Sequence, residues 1–244
     1  TRILGMEIPY DAKTLNQAQR EVVTKNNLKS AYIRPMCFYG SEGMGLRADN
    51  LKVHTMIAAW EWGAYLGEDN MKNGIRIRTS SYVRHPAHPS LSGAKTNGNY
   101  VNSMMALKEA LDHGFDEALM LDIDGYVSEG SGENIFVIKD DVIYTPHLTS
   151  ALPGITRDTI FTLAKSLGYN IIEKKLSCDE IYVSDEAFFT GTAAEVTPIR
   201  DLDGNQIGQG SRGPVTEKLQ SLYFDCVHGR NSDFNHWIDS GRCL

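Results

Sequence analysis

Apolar residues recur at helical spacing in some segments of the chain and alternate with polar residues in others. Leu15, Ala18 and Val22 fall on one face of a helix that Asp11 can cap. Isoleucines and arginines alternate over residues 75–78, as expected for a strand. Helices are predicted at residues 12–26, 100–113, 156–167 and 214–229, strands at 30–39, 51–62, 75–78, 117–122, 170–176 and 186–190, and hairpins at 134–144 and 199–207.

The order of these elements predicts the fold class. Strands and helices are both abundant, but they do not alternate regularly as they do in a doubly wound βαβ fold. The turns at Asp140-Asp141 and Asp203-Gly204 favour antiparallel hairpins. We therefore predict an α+β fold with mixed sheets.

Composition narrows the possible partners. The chain of 244 residues has 24 Lys and Arg against 31 Asp and Glu, a net charge of −7, which argues against nucleic acid and anionic lipid as partners. Its four cysteines are far apart and form no Cys-x-x-Cys pair, so no disulfide framework or structural metal site is expected. No apolar run is long enough to cross a bilayer. These features favour a cytoplasmic protein with reduced thiols.

Four glycine-containing segments contain the candidate chemistry. They contain Lys95, Glu129, Thr156 and Thr192, and the loop around Lys95 is polar. A buried lysine, one carboxylate and hydroxyl-bearing turns are what a protein needs to hold an aldehyde cofactor that carries a phosphate. Singly, each motif is weak, because most lysines are surface residues and Glu129 could be an ordinary turn carboxylate. Their joint occurrence in this order favours the cofactor hypothesis.

Six blocks of sequence together resemble the fold-type IV pyridoxal-phosphate enzymes, and most closely the bacterial branched-chain amino-acid aminotransferases. The resemblance runs from about Pro9 to about Phe224. The blocks are Ala31-Tyr32-Ile33-Arg34-Pro35, Trp62-Gly63-Ala64-Tyr65-Leu66-Gly67, Ala94-Lys95 with Gly98-Asn99-Tyr100, Ser128-Glu129-Gly130 with Gly132-Glu133-Asn134, Leu152-Pro153-Gly154-Ile155-Thr156-Arg157, and Gly191-Thr192-Ala193-Ala194-Glu195.

The resemblance implies a two-domain architecture. A small N-terminal α/β domain is expected at residues 1–66, a connector at 67–73, and a larger pseudo-barrel domain at 74–244, with pyridoxal 5'-phosphate between the domains. The family also has a phosphate-binding arginine and several aromatic residues upstream of the first helix, and Arg2 does not lie in the matching context. Part of the small domain is therefore expected to be missing from this sequence, which should weaken cofactor binding.

The resemblance also implies a role for each candidate cofactor residue. Lys95 would form the Schiff base, Tyr100 would hydrogen-bond the phenolic oxygen of the ring, and Glu129 would pair with the pyridine nitrogen and keep it protonated. The residues expected at the phosphate are Ile155, Thr156 and Thr192. Glu133 is an alternative to Glu129, but it is expected to be structural because it lies near the start of a hairpin.

The substrate residues implied by the resemblance lie mainly in the first domain. Tyr32 and Arg34 share a strand face, where a guanidinium suits the distal carboxylate of glutamate. Trp62 and Tyr65 would form an apolar wall for an aliphatic side chain. The turn at Thr192 and Ala193 would bind the substrate carboxylate. Taken without the family, the aromatic residues could be core and Arg34 a surface cation.

The resemblance therefore predicts a cytoplasmic aminotransferase that assembles at least as a homodimer. It would exchange the amino group of leucine, isoleucine or valine with 2-oxoglutarate, yielding 2-oxo acids and L-glutamate. D-amino-acid aminotransferase and aminodeoxychorismate lyase of the same fold remain alternatives, as does a non-catalytic relative that binds no cofactor.

Overall fold

The protein is described by a computed structural model that covers residues 1–63, 66–67, 69–86 and 91–239. The chain forms two compact units, Thr1–Gly63 and Ala64–Ser240. Within the described residues, no helix is both long and apolar enough to cross a membrane.

The first unit contains one helix beside a two-stranded sheet. A 3-10 turn at Arg2–Leu4 precedes helix α1 (Ala12–Lys25), which is followed by strands β1 (Tyr32–Tyr39) and β2 (Val53–Trp60). The side chain of Asp11 accepts a hydrogen bond from the Thr14 N–H at 2.7 Å, so the predicted cap is confirmed. The strands pair antiparallel, with Tyr32 opposite Trp60.

The second unit is built on one large mixed sheet. Its strands are β3 (Ile75–Thr79), β4 (Glu117–Leu121), β5 (Val127–Gly130), β6 (Asn134–Lys139), β7 (Val142–Thr145), β8 (Ile171–Glu173), β9 (Glu186–Gly191), β10 (Glu195–Leu202) and β11 (Asn205–Gln206). Their order in the sheet is β5-β4-β3-β10-β9-β6-β7-β8, with β11 paired to β10. Strand β3 runs parallel to both β4 and β10, β7 parallel to β8, and the other neighbours are antiparallel.

Helices flank this sheet. They are α2 (Asn70–Asn73), α3 (Tyr100–Asp112), α4 (Ile155–Ser166), α5 (Cys178–Tyr182) and α6 (Pro214–Val227), with 3-10 turns at Asn97–Asn99 and Ser232–Trp237. Successive residues of β9 point to opposite faces of the sheet and enter different cores. Phe189 packs in a cluster with Ile77 and Leu119, whereas Phe188 packs with Ile160 of α4 and with α6.

The predicted fold class is confirmed, and most predicted elements are present within a few residues. No strand was predicted at residues 128–130, but Glu129 pairs with Met120 inside β5. Helices α2 and α5 were not predicted, because a helix of only one turn or slightly more is too short to show a repeating pattern of apolar residues. A capping box between Ser177 and Glu180 stabilises α5.

Candidate active site

The lysine–tyrosine pair lies where a loop enters helix α3. The 3-10 turn Asn97–Asn99 turns the chain so that Tyr100 becomes the first residue of α3. Nζ of Lys95 donates to the Tyr100 hydroxyl at 2.7 Å. Lys95 was expected to be buried, but the structure places it on the surface of its unit, because the loop holds it outside the sheet and the helix core.

Glu129 is a buried carboxylate at the edge strand of the sheet, with only 3 % of its surface exposed. Its Oε2 accepts the Leu152 N–H at 3.0 Å and the Asn134 side-chain amide at 3.4 Å. Its Oε1 lies 2.5 Å from Nη2 of Arg84, an ion-pair contact that lacks the direction of a hydrogen bond. Burial raises the pKa of Glu129, and the positive charge of Arg84 opposes that rise.

The sequence interpretation missed Arg84. Its side chain is buried, with Nη1 donating to Ser103 Oγ at 2.8 Å and Nη2 facing Glu129. The backbone N–H of Arg84 donates to the Leu121 carbonyl at 2.8 Å, which fixes the residue beside the end of β4. No periodic pattern could have identified it, since it follows the strand in an irregular segment.

Helix α4 presents its start to the same region. Gly154 is the N-cap residue and offers no side chain to the first-turn N–H groups of Ile155 and Thr156. A Cβ added to Gly154 would lie 2.3 Å from Oδ1 of Asn134, so glycine permits this close approach. Uncapped N–H groups at a helix start form a ready site for an anion such as phosphate. Thr156 is buried, whereas Ile155 is exposed.

The turn after β9 contains Thr192 and Ala193. Gly191 approaches the Gly132 carbonyl and the Glu133 side chain, which places this turn beside the start of β6. Thr192 is exposed, and no hydrogen bond among the described residues joins it to Thr156. The structure therefore links Glu129, Asn134 and the start of α4 by direct contacts, and brings the Thr192 turn beside them.

Glu133 and Glu117 are two further buried carboxyls that interact electrostatically. Oε2 of Glu133 accepts the Gly132 N–H at 3.0 Å, and Oε1 of Glu117 accepts the Ala118 N–H at 2.7 Å. Burial raises the pKa of Glu133 well above its usual range, and the nearby Glu117 raises it further. Burial likewise raises the pKa of Glu117 to about 7.

The predicted substrate residues of the first unit lie in one aromatic cluster. The Tyr32 ring meets the Trp62 ring edge-on at 4.7 Å, and the Arg34 guanidinium lies 5.4 Å from the rings of both Tyr32 and Trp60. Tyr32 and Arg34 thus share a strand face, as predicted. Trp60 was missed, although antiparallel pairing of β1 and β2 places it opposite Tyr32. Tyr65 lies outside the described residues.

Over the part of the chain that the structure describes, no three His, Cys, Asp or Glu side chains are grouped as metal ligands.

The fold is that of a class of pyridoxal-phosphate enzymes, and a family comparison agrees. Residues 1–202 match the family described as amino-transferase class IV. The chain belongs to this family.

Three similar proteins share most of their length with the chain. A branched-chain-amino-acid aminotransferase of Pseudomonas aeruginosa is 61% identical over 235 residues, which are 96% of this chain and 76% of the relative. The Escherichia coli branched-chain amino acid aminotransferase, known from a crystal structure, is 44% identical in sequence. Its structure matches with a TM-score of 0.92 over 95% of this chain and 77% of that chain. The holo form of the Thermobaculum terrenum branched-chain amino acid aminotransferase, which contains pyridoxal phosphate, is 30% identical, with a TM-score of 0.90 over 97% and 77%.

Proposed function

We propose that this protein transfers the amino group of leucine, isoleucine or valine to 2-oxoglutarate, forming the 2-oxo acid and L-glutamate, with pyridoxal 5'-phosphate as cofactor. The observation that carries the proposal is the Lys95–Tyr100 pair at the start of α3, with Nζ and the hydroxyl 2.7 Å apart. The names of the similar enzymes from Pseudomonas aeruginosa and Escherichia coli support the substrate class. The holo form of the Thermobaculum terrenum enzyme supports the cofactor.

The side chains present fit this cofactor. An amine is available at Lys95, a buried carboxylate at Glu129, and an uncapped helix start at Gly154. When bound, pyridoxal phosphate supplies an electron sink and a temporary carrier for the amino group. These groups would meet the aldehyde, the ring nitrogen and the phosphate.

Lys95 has the central chemical role. Its Nζ would bind the aldehyde carbon C4′ of the cofactor until the substrate amine displaces it. The freed amine would then accept a proton from the substrate α-carbon and donate it to C4′. The Tyr100 hydroxyl accepts a hydrogen bond from that Nζ and so orients the amine. Tyr100 would also contact the phenolic oxygen of the ring.

The remaining residues would bind the rest of the cofactor and the substrate. Glu129 would face the ring nitrogen, and the N–H groups of Ile155 and Thr156, together with Thr192, would hold the phosphate. Thr192 and Ala193 would bind the substrate carboxylate. For the substrate side chain we assign Tyr32, Arg34, Trp62 and Tyr65, with Arg34 binding the distal carboxylate of glutamate.

Self-association and a cytoplasmic location are part of the proposal. Helix α3 exposes the apolar side chains of Val101, Met104, Met105 and Leu111 at helical spacing. An apolar stripe of this kind favours contact with a second copy of the chain. We therefore propose at least a homodimer. The domain limits 1–66, 67–73 and 74–244 also remain proposals.

A cofactor titration and an amino-transfer assay test this function together. Addition of pyridoxal phosphate should produce a visible absorption band, which Lys95→Ala should abolish. The loaded protein should form glutamate from 2-oxoglutarate with L-leucine, L-isoleucine and L-valine, and should be far slower with D-leucine. Transfer from D-amino acids alone, or a protein that gains no visible band, would contradict the proposal.

A further inference from the structure

Arg84 is a buried cation that connects two parts of the second unit. Its Nη2 lies 2.5 Å from Oε1 of Glu129, and its Nη1 donates to Ser103 Oγ at 2.8 Å. Only 8 % of the Arg84 surface is exposed. Water therefore cannot readily replace either contact, and the loss of one would leave a buried charge without its partner. The backbone N–H of Arg84 is itself held by the Leu121 carbonyl.

The position of Ser103 shows which helix Arg84 contacts. Ser103 lies on α3 three residues after Tyr100, the residue whose hydroxyl accepts from Lys95. Arg84 therefore joins the carboxylate to the helix that holds the lysine. The other oxygen of Glu129 is fixed independently by the Leu152 N–H. With both oxygens held, the carboxylate has one defined orientation.

We propose that Arg84 is a positioning residue that keeps Glu129 in its anionic form and fixes the orientation in which it meets the pyridine nitrogen. This inference rests on the function proposed above. Arg84 acts through Glu129, with which its guanidinium is paired.

The charges around Glu129 explain why an arginine is required. Burial raises the pKa of this carboxyl, Arg84 opposes the rise most strongly, and Lys95 contributes in the same direction. Glu133, the other acid that interacts with Glu129, is itself buried and has a raised pKa. Without Arg84, the proton shared by Glu129 and the ring nitrogen would move from the nitrogen to the carboxyl oxygen. A neutral acid and a neutral ring are favoured over an ion pair in a poorly solvated site.

The position of that proton can be observed without measuring activity. The holoenzyme would be prepared with pyridoxal phosphate labelled with ¹⁵N in the ring, because the ¹⁵N chemical shift distinguishes a protonated pyridine from a neutral one. The variants are Arg84→Met, which removes the charge, and Arg84→Lys, which keeps it. Arg212→Met is the control, since Arg212 donates to Gln220 at 2.5 Å near α6 and has no contact with Glu129 among the described residues.

We expect a protonated-ring signal in the wild type and in Arg212→Met, and a shift towards neutral pyridine in Arg84→Met. Arg84→Lys should restore part of the protonated signal. The kcat of Arg84→Met should fall roughly 10- to 100-fold with little change in KM for leucine. Losses of this size are typical when a residue that orients a directly contacting side chain is removed. A protonated ring and wild-type kcat in Arg84→Met would overturn the inference.

Glu129→Gln separates this inference from the proposed function. If Glu129→Gln shifts the ring signal and Arg84→Met does not, the inference fails while the role of Glu129 stands. If Glu129→Gln leaves the signal unchanged, both fail. Should Arg84→Met not fold, Arg84→Gln decides, because glutamine is polar but uncharged: a shift towards neutral pyridine supports the inference, and an unchanged signal overturns it.

Discussion

A Cβ added to Gly154 would lie 2.3 Å from Oδ1 of Asn134, whose amide nitrogen donates to the Leu152 carbonyl at 2.9 Å and to Glu129 at 3.4 Å. Asn134 is buried and held by these contacts, so it cannot move away freely. The backbone of Gly154 has φ −71° and ψ 140°, a conformation open to any residue. The requirement for glycine here is therefore one of space and not of backbone freedom.

Gly154→Ala should destabilise the protein by about 1–3 kcal/mol, the usual cost of overpacking a filled site. It should also weaken pyridoxal phosphate binding, because the displaced Asn134 no longer positions the start of α4. Urea unfolding and a cofactor titration measure the two effects. Gly132→Ala is the matched control, since a Cβ there meets no atom within 4 Å. Equal behaviour of the two variants would contradict the steric argument.

The helices that were predicted correctly have one apolar face over two or more turns. The strands that were predicted correctly show apolar residues that alternate with polar ones or a continuous apolar run. In α1, Leu15 and Val22 mark that face, and the cap at Asp11 marks its start. Strand β5 lacks such a signal because Ser128 and Gly130 are residues usual in turns and glutamate is depleted in strands. It forms because the preceding strand β4 pairs with it in a hairpin, so the cause lies outside the strand's own residues.

Residues of the candidate site could be predicted where a sequence motif marks a reactive side chain. They could not be predicted where the role depends on a contact that only the fold creates. Lys95 and Glu129 were identified through motifs, and their roles stay predictions. Arg84 comes to Glu129 only because its backbone is held at the end of β4. Trp60 is an intermediate case, since pairing the two predicted strands of the first unit would have placed it opposite Tyr32.

Substitution of Glu129 should separate cofactor binding from catalysis. Glu129→Gln should still give a visible band with pyridoxal phosphate, because Lys95 is intact. Its kcat should fall by roughly 100-fold or more, as a neutral amide cannot keep the ring nitrogen protonated, and each lost factor of ten is about 1.4 kcal/mol in the barrier. Absorbance and steady-state kinetics are the measurements.

Glu133→Gln is the control for this prediction. Glu133 is expected to be structural, and its raised pKa already favours the neutral acid that glutamine imitates. Glu133→Gln should therefore retain most of the activity. Full activity in Glu129→Gln with a large loss in Glu133→Gln would reverse the two assignments.

The buried carboxyl of Glu117 should make stability depend on pH. Its pKa is raised from 4.5 to about 7 by burial, so the folded state binds the proton more tightly than the unfolded state. The stabilising effect of that proton is complete below about pH 4.5 and is lost as the pH rises through 7. At pH 8 the loss is on the order of 3 kcal/mol, because each pH unit between the two pKa values changes the free energy of unfolding by about 1.4 kcal/mol.

Glu117→Gln should accordingly be more stable than the wild type at pH 8, with the difference shrinking towards pH 5. The glutamine Oε1 can still accept the Ala118 N–H that Glu117 now accepts at 2.7 Å. Urea unfolding of the apoprotein at several pH values measures the effect. Glu7→Gln, at an exposed site, controls for the change in net charge. A difference that stays constant with pH would show that the carboxyl does not titrate in this range.

Replacement of Arg34 should affect the two amino-acid substrates unequally. In the first unit Arg34 is exposed, and its guanidinium lies 5.4 Å from the Tyr32 and Trp60 rings, which favours a position over these rings. If it binds the distal carboxylate of glutamate, Arg34→Ala should weaken the glutamate half-reaction by about 1.5–3 kcal/mol, the contribution of a hydrogen bond between charged groups. Leucine has no second carboxylate, so its half-reaction should change far less. Single-turnover measurements with each amino acid compare the two.

Arg47→Ala is the matched control for Arg34→Ala, because Arg47 is an exposed arginine of the same unit whose ion pair is with Asp49. Exposed pairs contribute about 0–1 kcal/mol, so neither half-reaction should respond. Tyr32→Phe tests the orientation of Arg34 separately, since phenylalanine keeps an aromatic face beneath the cation and removes only the hydroxyl. Equal loss of both half-reactions in Arg34→Ala would show that Arg34 supports the aromatic cluster and does not recognise the distal carboxylate.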